Sequence, residues 1–429
     1  MKRWIESLAL LLIAAGIGLA GLAAPAGAED AKALYERGLL RRAAAACEQQ
    51  LAANPKDAEA GAMLSRITSS KGDAARALEL AAAAAAADPK CADAQYALAE
   101  AYGRKAQHAS VLSQPGLAGK MRKAADACLA IDPNHVDALE ILVDFHRFAP
   151  GIMGGDKKKM AEYCERLVRV DPVSGWIKKA EVALGEKDST EAGACYQRAA
   201  AVEPPSGRAR VAYASWLAPP WRDPASAEKL AQAAVEAEPW RTGGWQVLAA
   251  LYAHQGRWDE LTSTLEKSEA VEPTHLAPWY QAGRQLVVDG KEPARAESFL
   301  RHYLSREPEI GAQSVAAARW RLGLALEQQG KKAEALAELD AAKIPAGPLY
   351  SPQQALEDEH IRAAGLLRDT DYPGLPRPAP LCPTPVDLSE TPGRFRHRAP
   401  TLDEHTETIL TELGYAAEEI AGFRARGVI

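Results

Sequence analysis

The sequence predicts an all-α fold, in which pairs of helices repeat to form a solenoid. Two observations predict it: a proline that recurs at similar intervals, and stretches rich in Ala, Leu, Glu and Lys at helical spacing between those prolines. A proline ends a helix and pushes the residue before it out of the α region. The recurring prolines, each preceded by Asp, Glu or Asn, are Pro55, Pro89, Pro133, Pro172, Pro204, Pro239, Pro273 and Pro308, with spacings of 34, 44, 39, 32, 35, 34 and 35 residues.

The composition disfavours a large globular enzyme and a protein that binds nucleic acid. The chain has 429 residues, of which 47% are hydrophobic but only 6% aromatic, with five Phe and five Met. Much of the hydrophobic fraction is alanine, including an unbroken run at 81–87, and alanine is too small to fill a thick core. The net charge of −6 provides no basic footprint for DNA or RNA, so no nucleic acid partner is expected.

Most intervals also contain a glycine turn. A glycine lies 17 or 18 residues before the proline at Gly38, Gly72, Gly256 and Gly290, which predicts a helix, a turn and a second helix in each period. The interval that ends at Pro273 places large and small packing residues at regular positions, namely Trp245, Leu248, Ala249, Tyr252 and Trp258. This pattern resembles the tetratricopeptide repeat family over residues 29–343 and implies about eight or nine repeats.

Two intervals are longer than the rest. Their extra residues lie at 108–119 and 150–156, between the two helices of a repeat. In the second, glycines precede Lys157, Lys158 and Lys159, so the start of the helix could cradle an anion. The alternative is a longer turn followed by solvated lysines.

The resemblance implies binding through a groove. First helices of successive repeats line a concave surface that takes extended peptides or partner helices, so we expect a protein or peptide partner. The register of the repeat places Glu59, Arg66, Gln246, His254, Tyr280 and Arg284 in the groove. Trp221 and Trp240, at turns beside prolines, are further candidates for contact with a partner.

The N-terminal stretch predicts export. Lys2 and Arg3 precede an apolar run at 8–22, and a small-x-small site ends at Ala28. This is the pattern of a signal peptide over residues 1–28, which predicts a periplasmic or secreted protein without stable membrane insertion after cleavage. The alternative is an uncleaved anchor, for which the apolar run is short.

Cysteines and histidines predict little chemistry. The six Cys include no C-x-x-C pair and no accompanying zinc-spaced His pair, so no metal, cofactor or catalytic residue is expected in the chain. Cys91 and Cys128 are expected at neighbouring helix ends, where an oxidising compartment would permit a disulfide; two buried thiols are the alternative.

Beyond residue 343 the composition changes, and prolines are dense from Pro345 to Pro400. We expect a proline-rich tail with a strand at 386–389 and two final helices, the first capped by Thr401 or Asp403. The motifs of this tail lie at 344–348, 352–364, 386–389, 391–392, 404–406, 413–415 and 427–429.

These motifs resemble the C-terminal end of family III CoA-transferases over residues 332–429. In that family the catalytic aspartate, which carries the acyl group, lies in a large N-terminal domain that has no counterpart here. The resemblance therefore implies a segment, residues 344–429, without its catalytic domain. We expect an exported scaffold that is not an enzyme; the alternative is a protein related to CoA-transferases that transfers acyl groups.

Overall fold

The computed structural model describes residues 30–218, 222–347, 350–383, 386, 388–391 and 397–429. The predicted signal peptide and its cleavage site at Ala28 lie outside these residues. Contacts divide the chain into two units after Ala346, and each is described by itself.

The first unit consists of nine helix pairs, counted over the residues that the structure describes, and has no strand among them. The first helices of the pairs, called A helices here, are α1 (Ala31–Glu36), α3 (Ala58–Ser70), α5 (Ala92–Gln107), α7 (Val136–Phe148), α9 (Pro172–Gly185), α11 (Gly207–Leu217), α13 (Thr242–Gln255), α15 (Ala277–Asp289) and α17 (Val315–Gln328). The second helices, called B helices, are α2 (Leu40–Ala53), α4 (Ala74–Ala87), α6 (Gln114–Ile131), α8 (Lys157–Val170), α10 (Ser189–Ala200), α12 (Pro224–Ala237), α14 (Trp258–Val271), α16 (Pro293–Leu304) and α18 (Lys332–Ala341). The predicted all-α helical repeat solenoid is confirmed.

Six of the eight recurring pairs place the residue before proline at the end of a B helix, as their chemistry predicts, whereas α10 and α16 end earlier, with caps at Ala201 and Ser305. Asn54 and Asp88 follow α2 and α4 in extended conformations, with φ/ψ of −135/92° and −138/97°. Asp171 ends α8 and also begins α9, because its carboxylate accepts hydrogen bonds from the N–H groups of Val173 and Ser174. One residue type thus both stops a helix and starts the next.

The turns between the two helices of a pair use glycine where the backbone adopts the left-handed conformation, with positive φ. Gly256 and Gly290 end α13 and α15 with φ of +69° and +63°, a region that glycine enters without steric cost.

The core runs along the unit as a series of small clusters between adjacent helices. Between α3, α4 and α5 every buried member is alanine, whereas the pairs from α11 to α18 share a larger cluster that contains Leu, Tyr and Val. Trp245 is buried, and Trp258 and Trp279 pack against that larger cluster at the repeat's own packing positions. Alanine permits close helix approach in the first half, while aromatic and branched side chains fill the second half.

Both predicted insertions fall between an A helix and its B helix. The first forms turns at 108–113 and then extends α6, which begins at Gln114. The second contains a short 3-10 helix, Gly151–Met153. The carboxylate of Asp156 caps α8 by accepting hydrogen bonds from Lys158 N–H at 2.8 Å and Lys159 N–H at 3.4 Å. Because that carboxylate occupies the helix start, the structure favours the longer turn over an anion cradle.

The second unit, from Gly347 onward, contains short elements: helices α19 (Pro352–Glu357), α20 (Glu359–Ala363), α21 (Thr406–Glu412) and α22 (Ala417–Ala425), and antiparallel strands β1 (Arg368–Thr370) and β2 (Ala379–Leu381). The strand predicted at 386–389 is wrong, since none of its described residues lies in a strand. Proline cannot donate to a ladder, and Pro383 and Pro385 lie in the sequence between β2 and this segment.

The predicted cap of the first terminal helix is also wrong. This helix, α21, begins at Thr406 after His405, without a side-chain cap. The hydroxyl of Thr401 instead donates to Glu404 at 3.1 Å, and the carboxylate of Asp403 accepts from Arg424 at 2.7 Å.

Candidate binding groove

Side chains of the A helices reach across two repeats. Arg66 on α3 donates to Asp137 on α7 at 2.8 Å, and Arg208 on α11 lies 3.5 Å from Glu140 on α7. Residues 71 and 68 positions apart can meet only on the inside of the curve of the solenoid. The A helices therefore line the concave surface, as the register predicts.

Arg66 is held by partners within the chain. Its guanidinium lies between the rings of Tyr35 and Tyr96, at 5.2 and 4.9 Å from their centroids, and Glu100 lies 3.5 Å away. Burial opposes the charge of Arg66, but Asp137 and the neighbouring acidic groups outweigh it, so its pKa is raised. Burial also raises the pKa of Glu100. Arg66 joins three repeats and is already neutralised, which makes it a structural member of the groove.

The other predicted polar residues divide between paired and open positions. Gln246 Nε2 donates to Thr242 Oγ1 at 3.0 Å, and His254 Nδ1 lies 2.8 Å from Asp289 Oδ2. Arg284, half-buried on α15, has no hydrogen-bond or ion-pair partner among the residues described, so its charge is open to the groove. Glu59 is exposed near the start of α3.

One predicted groove residue belongs to the core instead. Tyr280 is only 5% exposed, and its ring packs against Tyr303 with centroids 5.4 Å apart. Tyr280 lies on the side of α15 that faces α16, about one residue position around the helix from the side that faces the groove. Trp240 is 37% exposed and remains accessible, while Trp221 lies outside the described residues.

Several groove residues were missed from the sequence. Gln281 donates to Gln246 at 3.5 Å, and Arg208 donates to Ser174 Oγ at 2.9 Å. These partners lie 35 and 34 residues apart. Pairing polar residues one period apart would therefore have found them.

The first helix pair contacts the loop between the eighth and ninth pairs. Arg41 Nη2 donates to the carbonyl oxygen of Pro308 at 2.7 Å and lies 2.7 Å from Glu307, while its backbone N–H donates to Glu309 at 3.0 Å. Ile310 packs against the apolar cluster of the first pairs, beside Leu40. We call this contact the closure.

A cavity of about 570 Å³ lies beside the closure. Its wall comes from the first pair, the starts of α11, α13 and α15, and the loop before α17. Arg37, Arg208 and Arg241 line it, as do Glu238 and Glu309. Helices α13 and α15 begin there without side-chain caps. The cavity thus combines charges of both signs with the starts of three helices, which suits a polar peptide segment.

Across the described residues, no three His, Cys, Asp or Glu side chains come together as metal ligands would. All six thiols are free, including those of Cys91 and Cys128. None of the helices in the described part of the chain combines the length and the apolar character needed to cross a membrane.

The sequence comparisons relate part of the chain to CoA-transferases. The sequence model of CoA-transferase family III matches residues 305–406, which include α17 and α18. Succinyl-CoA:mesaconate CoA-transferase of Haloarcula marismortui is 29% identical over 128 residues, 30% of this chain and 32% of that protein. Formyl-CoA:oxalate CoA-transferase of Rhodopseudomonas palustris is 35% identical over 97 residues, 22% of each chain. The chain spans a third or less of these relatives' lengths.

Solved structures that superpose on the chain include a thermophilic TPR protein of Thermus thermophilus (23% identity, 44% of this chain and 95% of that chain, TM-score 0.39). Yeast Tom70 superposes with 13% identity over 73% of this chain and 76% of that chain, with a TM-score of 0.41. The fold is established by the helix pairs themselves, and these superpositions add nothing to it. The chain thus joins a tetratricopeptide-type helical repeat solenoid to a segment similar to family III CoA-transferases.

Proposed function

We propose that this chain is an exported scaffold that binds a protein or peptide through the groove of its A helices. The observation that carries the proposal is the charge of Arg284, which has no partner among the described residues, whereas Arg66, Lys178 and Arg208 on the same inner face are paired. A charged group without a partner on a concave surface favours an incoming carboxylate or carbonyl.

The test selects peptides from a phage-displayed library with the mature chain, residues 29–429. We expect enriched peptides whose affinity for Arg284→Glu falls roughly tenfold or more, as for loss of a charged hydrogen bond. Arg169, exposed on the B helix α8, offers a matched control, and Arg169→Glu should bind like the wild type. Failure to enrich any peptide, or equal binding by both variants, would refute the proposal.

Export is part of this proposal and rests on the leader alone. Processing after Ala28 should yield a chain that begins at Glu29. N-terminal sequencing of the exported protein tests it, and an intact Met1 would contradict it.

The match at 305–406 favours a second candidate, acyl transfer between a CoA thioester and a carboxylic acid. We propose instead that the chain lacks this activity. Such transfer needs an unengaged carboxylate nucleophile beside groups that stabilise the transition state. In the family that the tail resembles, this nucleophile lies in a domain that has no counterpart here. Two acids of the tail are also engaged, Glu404 by Arg398 at 2.6 and 2.7 Å and Asp403 by Arg424 at 2.7 Å.

The assay measures exchange of CoA between an acyl-CoA and a free acid with the purified mature chain. We expect no turnover above background. Turnover that is abolished by substitution of a single carboxylate would establish the enzyme instead.

A further inference from the structure

The two insertions carry exposed apolar side chains. Leu112 and Ile152 are 94% and 99% exposed, and Val111 and Phe148 are 80% and 69% exposed. Among the described residues of the first unit these are the four most exposed large hydrophobic side chains. Exposed apolar side chains that cluster on one part of a surface mark sites where a protein meets a partner or a membrane.

The helices that flank the two insertions share one packed cluster. Tyr102 on α5, Ala118 on α6 and Ala149 after α7 pack against one buried cluster that includes Phe145. The guanidinium of Arg122, on α6, lies over the Phe145 ring at 5.8 Å. The turns at 108–113 and 149–156 therefore lie side by side on one edge of the solenoid. We call residues 103–123 and 145–159 the basic edge.

The charge of the basic edge differs from that of the chain. It contains nine Lys and Arg and a single acid, Asp156, in a chain with a net charge of −6. The exposed cations are Arg104, Lys105, Lys120, Arg122, Lys123, Lys157, Lys158 and Lys159. Asp156 stays ionised, because the N–H groups of Lys158 and Lys159 that it caps lower its pKa, so it offsets one of these cations. Arg122 also lies 4.0 Å from Asp126, just outside the edge, and the remaining cations still leave the edge strongly positive.

We propose that the basic edge docks on an anionic lipid bilayer, with Leu112 and Ile152 inserted among the headgroups and the lysines against lipid phosphates. Two apolar tips flanked by cations fit a plane that is apolar within and negative at its surface. Nearly complete exposure leaves no protein wall around either tip, so the edge offers no pocket to a peptide side chain. The edge is separate from the groove, and the docking is peripheral, without a membrane span.

The test is sedimentation of the mature chain with vesicles, since residues 1–28 carry an apolar run that would itself bind lipid. We expect binding to vesicles that contain phosphatidylglycerol and none to phosphatidylcholine alone. Raising the salt from about 0.1 M to about 1 M, which shortens the Debye length from about 10 Å to about 3 Å, should release the protein.

Variants separate the contribution of the apolar side chains to vesicle binding from that of the lysines. Leu112→Asp with Ile152→Asp should lower vesicle affinity at least tenfold or so. Changing Lys157, Lys158 and Lys159 to Gln should lower it by about fivefold for each lysine. The matched control changes the exposed Lys32, Lys56 and Lys90 to Gln, which removes the same charge away from the edge and should leave binding unchanged.

Thermal unfolding should not change in any variant, because these side chains are exposed. No binding to anionic vesicles, equal binding to neutral ones, or equal loss in the control variant would each overturn the proposal. Loss of vesicle binding in the edge variants alone would support docking through the basic edge, independently of what the groove binds.

Discussion

At the residue scale, most of the thiols are inert. Burial raises the pKa of Cys47, Cys164 and Cys195 to about 11 and that of Cys128 to about 12. A thiol with so high a pKa has almost no thiolate at neutral pH, and the thiolate is the reactive form. Cys382 alone is exposed among the six cysteines.

We therefore expect one fast thiol in the native protein at about pH 8. Cys382 should react with a chromogenic disulfide reagent first, Cys91 more slowly, and the other four only on unfolding. Cys382→Ser should remove the fast phase. Reaction of all six at one rate, or fewer than six thiols after unfolding, would contradict this expectation.

Glu297 on α16 is a second residue with a measurable signature. Its carboxylate accepts hydrogen bonds from Lys331, Gln329 and Arg301, each at 2.9 Å. The bond from Lys331, followed by those from Gln329 and Arg301, overcomes the opposing effect of burial and lowers the pKa of Glu297 to about 2. Because the folded pKa lies below the unfolded value, this stabilisation is fully present above about pH 4.5 and is lost as the pH falls toward 2.

Glu297→Gln should lower the free energy of unfolding by about 1–2 kcal/mol at neutral pH, since solvent screening reduces the full effect of the pKa shift. The difference from wild type should shrink as the pH falls from about 4.5 to 2. Unfolding measured across that range tests it. Glu334→Gln, at an exposed pair 3.7 Å from Arg301, is the control. A difference independent of pH would rule out the ionised contact as its cause.

At the scale of elements, helix spacing depends on single glycines. A Cβ at Gly175 on α9 would lie 2.4 Å from the backbone of Val168 on α8. At Gly103 on α5 the nearest atom would be Met121 Cγ at 3.6 Å, an ordinary contact. An alanine at Gly175 would therefore clash with the backbone of the neighbouring helix, whereas an alanine at Gly103 would fit without a clash.

We expect Gly175→Ala to destabilise the protein by about 1–3 kcal/mol, because α8 and α9 must separate. Gly103→Ala should be neutral or should stabilise by up to about 1 kcal/mol through helix propensity. The midpoints of urea unfolding compare the two variants. Equal midpoints for the two variants would show that α8 and α9 can separate without a measurable loss of stability.

The elements themselves were largely predictable from the sequence, because Pro and Asp act on their immediate neighbours. Pro172 and Asp171 mark one boundary correctly from sequence alone. Tyr280 was misplaced because a single step around a helix separates groove from core, and the periodic pattern defines that step only loosely. Pairing between residues as distant as Arg41 and Pro308 leaves no periodic trace at all.

At the scale of the whole solenoid, the closure joins distant repeats. Arg41→Ala removes the side-chain bonds to Pro308 and Glu307. We expect amide exchange at 305–313 to accelerate about tenfold, as for loss of a charged hydrogen bond, with helix content unchanged. Arg76→Ala is the control, because Arg76 pairs locally with Glu79. Exchange at 305–313 that is the same in both variants would disprove a role for Arg41.

The closure also limits how many helix pairs the solenoid can gain or lose. Each helix pair rotates and advances a solenoid by a fixed step, and open arrays commonly tolerate duplication or loss of a pair. Here Arg41 in the first pair meets the loop between the eighth and ninth. An added or deleted pair between them would bring a different loop opposite Arg41 and remove the wall of the cavity. The number of repeats up to Pro308 is therefore fixed by geometry, and duplication is compatible with the closure only beyond it.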